Sequence, residues 1–329
     1  MELISSLPPE LLRMIISVAI CIAFIFLNAI IMGYMERKLA GYFQRRLGPM
    51  EVGPHGLLQL IVDGVKLVGK QLLLPRDADR PLFRLAPLLS FTPAVLPFIV
   101  IPFSKHLQVR DLHLGLIYIV TFSTMNVMAI LIAGWSSNNK YSLFGAMRAL
   151  AQSIAFEIPL LFCLLSVVLM TNTFSLQETV AAQKDIWFIF LQPLAFIIYF
   201  ICGMAETNRA PFDLPEAESE LTAGFHTEYS GMGFSVFFLA EYANMFVVCS
   251  IATVLFLGGW RMPFMPETFL EYTGIFWFML KVYALLIVMI WVRWTYPRVR
   301  FDQLLNFCWK YLIPFSLVNI LITAVFVKL

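Results

Sequence analysis

Six carboxylates, Glu206, Asp213, Glu216, Glu218, Glu220 and Glu228, crowd into AETNRAPFDLPEAESELTAGFHTEYSG, residues 205–231, against one basic side chain, Arg209. Three further charges, Glu157, Glu241 and Lys281, interrupt long apolar runs. Carboxylates packed this closely titrate as a group and can hold or hand on protons. A charge at mid-membrane costs roughly 2.5–3.5 kcal/mol on insertion scales, so a functional reading is the default there. At a rise of about 1.5 Å per residue, Glu157, Glu241 and Lys281 lie roughly 14, 12 and 17 Å in from segment ends near Arg148, Gly233 and Val292. That depth predicts one titratable layer at half height. A Glu241–Lys281 ion pair joining two helices is the plainer alternative, and it leaves Glu157 without a partner.

Within the acidic segment, Asp213-Leu-Pro-Glu216 has the spacing of a helix capping box. A helix from Leu214 then sets Glu216 and Glu220 on one face, where like charges repel. A solvated surface loop is the bland alternative. The apolar pairs Pro211-Phe212 and Gly224-Phe225 argue instead for a segment folded back into the protein. With Glu157 and Glu241 it then forms a continuous acidic route from the cytoplasmic face to mid-membrane.

The elements that position these groups are membrane helices. The chain has 329 residues, is 60% hydrophobic and 13% charged, and has a mean hydropathy of +0.81. Its apolar runs near 20 residues are long enough to cross the hydrocarbon core. They cover Met14 to Met35, Leu85 to Ser104, Leu112 to Asn139, Ile158 to Gln177, Ile186 to Ala205, Tyr242 to Trp260 (starting near Gly233), Tyr272 to Val292 and Tyr311 to Val327. The expectation is an all-α polytopic membrane protein with eight transmembrane helices in a single integral membrane domain, 1–329. The first span is not a cleaved signal, because no basic run precedes it and Glu36-Arg37-Lys38 follows it. Connectors at about 36–84, 136–148, 206–232 and 293–310 hold 16 of the 23 Lys and Arg residues. The positive-inside rule places these connectors in the cytoplasm and both termini on the non-cytoplasmic side.

Composition also excludes. The five cysteines, Cys21, Cys163, Cys202, Cys249 and Cys308, sit in or beside apolar runs without a CxxC pair, and the four histidines show no zinc spacing. There is no nucleotide-binding glycine motif. The expectation is a chain with no metal site and no redox cofactor of its own. The formal net charge of +2 gives no sign of a nucleic-acid partner.

From Gly56 to Leu73, in the first cytoplasmic connector, Gln59, Asp63, Lys66 and Lys70 recur at helical spacing among Leu, Ile and Val. This predicts an amphipathic helix. Either its polar stripe faces water at the membrane interface, or the stripe lines a polar cavity with protein packed around the wide apolar arc.

Three segments, ERKLAGYFQRRLGP (Glu36 to Pro49), AGWSSNNKYSLFGAMRALAQ (Ala133 to Gln152) and ETNRAPFDLPEAESELTAGFHTEYSGM (Glu206 to Met232), resemble one family. It is the quinone-chamber membrane subunit of proton-pumping NADH:quinone oxidoreductase, respiratory complex I. The resemblance covers nearly the whole chain. It implies a subunit that joins membrane and peripheral arms and forms much of the tunnel by which a quinone, ubiquinone or menaquinone, reaches the last iron–sulfur cluster. FMN and the iron–sulfur clusters then belong to partner subunits only. The implied partners are the peripheral-arm iron–sulfur and quinone-site subunits, small membrane subunits, antiporter-like subunits and membrane lipid. The implied location is an energy-transducing membrane, the bacterial inner membrane. By the same resemblance, Glu36, Arg37, Arg45, Arg46, Asp63, Lys66, Phe225 and Arg293 line or approach the quinone chamber. Glu157, Glu206, Asp213, Glu216, Glu218, Glu220, Glu228 and Glu241 form the acidic channel, with Arg209 balancing it.

Three other readings compete. The equivalent subunit of a membrane-bound hydrogenase or formate-oxidising complex shares the fold, but the unbroken ETNRAPFDLPEAESEL leans against it. A stand-alone ion-coupled transporter is expected to show inverted repeats with broken helices, and the sequence shows none. A purely structural anchor leaves the cost of Glu157 and Glu241 unexplained.

Overall fold

The computed structural model describes residues 9–215, 218–263 and 267–328, with the side chains of 9–14, 218–219, 267–269 and 271 left out. Its described residues are helical and turn, without strands. Among them, seven helices are long and apolar enough to cross a membrane. They are α1 (Pro9–Phe43), α3 (Arg80–Val95), α4 (Gly115–Ser136), α5 (Lys140–Thr171), α10 (Gly231–Phe256), α11 (Glu267–Thr295), and α12 (Phe301–Phe307), which runs through a π turn, Cys308–Leu312, into α13 (Ile313–Lys328). Shorter elements are α2 (Gln59–Gly69), α6 (Leu176–Ala182), α7 (Phe188–Leu191), α8 (Pro193–Glu206) and α9 (Glu218–Leu221).

The apolar run expected at Ile186 to Ala205 is split. Pro193 has no N–H to donate and pushes the preceding residue out of the helical region, and Gln192 accordingly sits at ψ 59° between α7 and α8. The break leaves an amide in apolar surroundings, and the amide is satisfied. Gln192 accepts from Ser166 Oγ at 2.8 Å and donates to Thr323 Oγ1 at 3.1 Å. The 14-residue α8 is therefore shorter than the seven helices long enough to cross a membrane.

Helix α10 is the axis of the bundle. From Phe237 to Phe256 most of its side chains are buried, and they pack against α1, α3, α8 and α11. The core around it is aromatic: Phe246 stacks on Phe98 with ring centroids 5.6 Å apart and meets Phe24 edge-on at 5.4 Å. The second seam runs along α5, against α4, α8 and α13. Small side chains allow close approach there. A Cβ on Gly145 would stand 2.8 Å from Gly224 Cα, so this position in α5 admits the turn Gly224–His226.

Two helices extend beyond their expected spans. Helix α1 continues through Phe43, which carries Glu36, Arg37 and Lys38 on its last turns rather than in a connector. Helix α5 starts at Lys140, where Asn139 caps it by accepting from Tyr141 N at 3.0 Å, so Arg148 is a helix residue.

Lys281 corrects the expected layer. Its ammonium donates to the carbonyls of Leu257, Gly259 and Arg261 at 2.7, 3.0 and 2.5 Å, and stands 4.4 Å from the Trp187 ring centre. These carbonyls begin 16 residues after Glu241 (257 − 241), about 24 Å along the helix at 1.5 Å per residue. Lys281 is therefore neither the partner of Glu241 nor at its level. It caps the C-terminus of α10, where carbonyls lack intrahelical donors and carry partial negative charge. Gly258 and Gly259 turn the chain there with φ of 70° and 55°, conformations glycine adopts without a Cβ penalty. Replacing Lys281 by Met removes a buried charged donor from three carbonyls and is expected to destabilise the protein by at least about 2 kcal/mol. Thermal unfolding in detergent, with faster hydrogen exchange confined to 255–261, measures this. An unchanged midpoint contradicts it.

Candidate functional site

Helices α1, α2, α10 and α11 border a half-open cavity of about 950 Å³. Most of its wall is apolar and includes Phe26, Ile30, Leu60, Leu67, Val68, Phe238 and Leu239. Its polar part holds Glu36, Arg37, Arg46, Asp63, Tyr242 and Arg293. An apolar pocket of this size with a few convergent polar groups is the usual form of a small-molecule site.

Glu36 is the focus of that polar part. Its carboxylate is 6% exposed and, among the described residues, collects three donors: Tyr242 Oη at 2.6 Å on Oε2, Arg209 Nη1 at 3.5 Å on Oε1, and Arg293 Nη1, also on Oε1. Arg209 is equally buried and reaches onward, with Nη2 at 3.7 Å from Glu241 Oε2. Removing one partner from a buried ion pair strands a charge and costs about 3–5 kcal/mol.

Past Glu241 two small voids continue inward, each with polar side chains among apolar ones. One of about 10 Å³ is bordered by Glu241, Glu206, Asn126 and Asn244. The other, about 50 Å³, is bordered by Glu206, Glu157, Asn208, Tyr199 and Asn244. Glu157 Oε1 accepts from Thr124 Oγ1 at 2.5 Å. The line Glu36, Arg209, Glu241, Glu206 and Glu157 is thus joined by ion pairs as far as Glu241 and by shared void walls beyond it, ending within α5.

The acidic connector does fold back into the protein. Phe212, Leu214, Phe225 and His226 are buried. Gln152 of α5 donates to the carbonyls of Ala205 and Phe212 at 2.7 and 2.9 Å. Ser142 Oγ donates to Phe225 O at 3.1 Å. The connector's remaining acids turn elsewhere. Asp213 accepts from Arg298 at 3.1 Å, Glu220 from Arg148 at 2.5 Å, and Glu228 from Asn139 at 2.7 Å. These contacts fasten the connector to its neighbours, and none of the three acids borders the voids. Glu216 and the Glu218 side chain lie outside the described residues. The described helix α9 starts at Glu218, four residues after the expected Leu214. Burial pushes the Tyr229 phenol up to about 12, against a lowering by the Ser136 hydroxyl, so this connector side chain stays uncharged at neutral pH.

Of the residues placed at the chamber, Glu36, Arg37, Arg46, Asp63 and Arg293 line the cavity, whereas Arg45, Lys66 and Phe225 do not. Phe225 instead packs into a separate aromatic cluster, 5.5 Å from Phe237. Lys66 and Lys70 are exposed, and no residue of α2 is buried. Protein does not surround this helix within the chain. One polar side chain of its stripe, Asp63, reaches the cavity. Tyr242 escapes a reading of the sequence because a tyrosine inside an apolar run looks like core, and its adjacency to Glu241 is the one signal available.

The sequence profile of the NADH dehydrogenase family matches residues 16–324. The chain belongs to that family. A relative from Desulfotalea psychrophila is 47% identical over 97% of this chain and 98% of its own length. One from Carboxydothermus hydrogenoformans is 48% identical over 96% and 89%, and one from Geobacillus kaustophilus is 51% identical over 88% and 86%. Each of these family members is named as a subunit of NADH-quinone oxidoreductase, an enzyme complex. The resemblance carried by the three signature segments is the family relationship itself.

Asp63 gives this site a pH signature. Burial raises its pKa, but hydrogen bonds from Arg37 (2.6 Å) and Gln59 (3.1 Å), with the charges of Arg37 and Lys66, outweigh burial and hold the carboxyl below the ordinary aspartate range. A depressed folded-state pKa contributes stability that is present above the unfolded value, about 3.9, and lost as pH falls through the folded one. The pair is 46% and 30% exposed, so it contributes no more than about 1 kcal/mol. Amide exchange in α2, corrected for intrinsic rates, is expected to rise relative to pH 7 only below about pH 3.9. Asp63→Asn is expected to flatten that dependence. An Asp63→Asn profile parallel to wild type contradicts it.

Proposed function

We propose that this chain is the membrane subunit that shapes the quinone chamber of an NADH-quinone oxidoreductase and couples quinone reduction to proton translocation. The observation that carries this reading is the continuity between a ligand-sized cavity and a line of acids within the helix bundle, with Glu36 and Arg209 at the junction. The relatives' name, NADH-quinone oxidoreductase, supports the quinone. The apolar wall suits a lipid-soluble ring and tail, and the polar groups at Glu36, Tyr242 and Arg293 suit its carbonyl oxygens.

Reduction of a quinone to a quinol consumes two electrons and two protons. The electrons come from an iron–sulfur cluster of a partner subunit, and FMN is bound by another partner. Charge or proton demand in the cavity alters the balance at Glu36. Arg209 touches both Glu36 and Glu241, so a change on one carboxylate shifts the attraction felt by the other. Glu206 and Glu157 extend the response into the bundle. The small and antiporter-like membrane subunits and the peripheral arm complete the machine. In this reading α7 and α8 together make the fifth of eight crossings, both termini lie on the non-cytoplasmic side, and the chain is a single domain of a bacterial inner membrane.

Glu157→Gln and Glu206→Gln keep side-chain size and remove a proton-carrying group. A positioned acid or base is worth about 10²–10⁴-fold in a proton-transfer step. In membranes whose complex assembles normally, measured by NADH oxidation with a soluble artificial acceptor, each change is expected to slow NADH-driven proton pumping at least about tenfold. Wild-type rates of NADH-driven proton pumping in both variants sink the proposal.

A further inference from the structure

Tyr242 lies on the cavity wall and touches both sides of the Glu36–Arg209 junction. Its hydroxyl donates to Glu36 Oε2 at 2.6 Å, while both guanidinium contacts to Glu36 fall on Oε1. The phenol therefore fixes the carboxylate's second oxygen and, with it, the carboxylate plane. The face of the same ring lies 4.8 Å from the Arg209 guanidinium carbon, within the range of an attractive cation–π contact. Phe238, one helical turn earlier on α10, stands 6.0 Å from that guanidinium carbon and 5.5 Å from the Tyr242 ring, which braces the ring from the side. Glu241 is the adjacent residue on α10 and the next charge that Arg209 meets. One backbone segment thus supplies the acid beyond the junction and the strut that holds it.

The geometry points to Tyr242 as a positioning residue: its hydroxyl orients Glu36 toward the cavity and its ring holds Arg209 between Glu36 and Glu241. This inference rests on the proposed function and adds a residue that acts through two others. Glu36 without the hydroxyl keeps its guanidinium partners but can turn about them, so the cavity and the acid line lose register while the ion pairs survive.

Two substitutions separate the two contacts. Tyr242→Phe removes the hydroxyl and keeps the ring, and Tyr242→Leu removes both. In membranes with normal assembly, judged by artificial-acceptor activity, Tyr242→Phe is expected to lower the kcat of quinone reduction about tenfold, a typical loss for one charge-assisted hydrogen bond. KM for a short-chain quinone is expected to change less than about twofold, because the ring still fills the wall. Tyr242→Leu is expected to lower the proton-to-electron ratio as well. The deciding measurement is a double-mutant cycle with Glu36→Gln: if the hydroxyl acts through Glu36, Tyr242→Phe adds no loss to Glu36→Gln. Additive losses, or a wild-type kcat in Tyr242→Phe, overturn the inference and leave the proposed function standing. Wild-type reduction and pumping in Glu36→Gln overturn the route and this inference together. Poor assembly of Tyr242→Leu leaves the Phe cycle to decide.

Discussion

The polar part of the large cavity is organised around one buried carboxylate, Glu36, and the donors it requires among the helices. It is buried, so it is tenable only with donors on it. Those donors come from elements far apart in the chain: Arg209 from the connector after α8, Tyr242 from α10 and Arg293 from the end of α11. The requirement draws these helix ends to one point. It also draws in the connector, since Arg209 can reach Glu36 only if the chain after α8 turns back into the bundle. Gln152, bonded to carbonyls on both sides of that turn, and the buried Phe212 and Leu214 hold it there. The electrostatics of the site and the path of the connector are one constraint.

The acids of the connector divide by the partners they find. Asp213, Glu220 and Glu228 take donors from Arg298, Arg148 and Asn139 and act as fasteners. Glu206, at the last residue of α8, instead borders both small voids and stands between Glu241 and Glu157. Neighbouring carboxylates in a sequence thus do different work, according to whether a basic or amide group waits on the adjoining helix.

Much of this is legible in the sequence. The apolar runs mark the long helices, because a run near 20 residues without charge has few other folds available. The signature segments carry the family, and the intramembrane positions of Glu157 and Glu241 mark two of the acids that the structure places on the walls of the small voids. Other features are hidden, each because it depends on where side chains meet. Proline at 193 disguises a broken helix as a plain apolar run, since hydropathy counts it little differently from its neighbours. Spacing places Lys281 at mid-depth because it shows where a Cα lies, whereas the long side chain reaches carbonyls at the end of the neighbouring helix. Phe225 follows the family pattern toward the chamber and lies instead in the cluster with Phe237 and Tyr229. Tyr242 carries no signal of its own beyond its neighbour Glu241.

Arg209 joins the cavity to the acid line through its contacts to Glu36 and Glu241, and its replacement is the sharpest test of the proposed coupling. Proton pumping per electron is measured during NADH-driven quinone reduction in membranes carrying Arg209→Gln or Arg209→Lys, with assembly verified by artificial-acceptor activity. A clear fall in the ratio is expected for Arg209→Gln, with partial recovery for Arg209→Lys, which restores the charge without the fork. A wild-type ratio in fully assembled Arg209→Gln would contradict it.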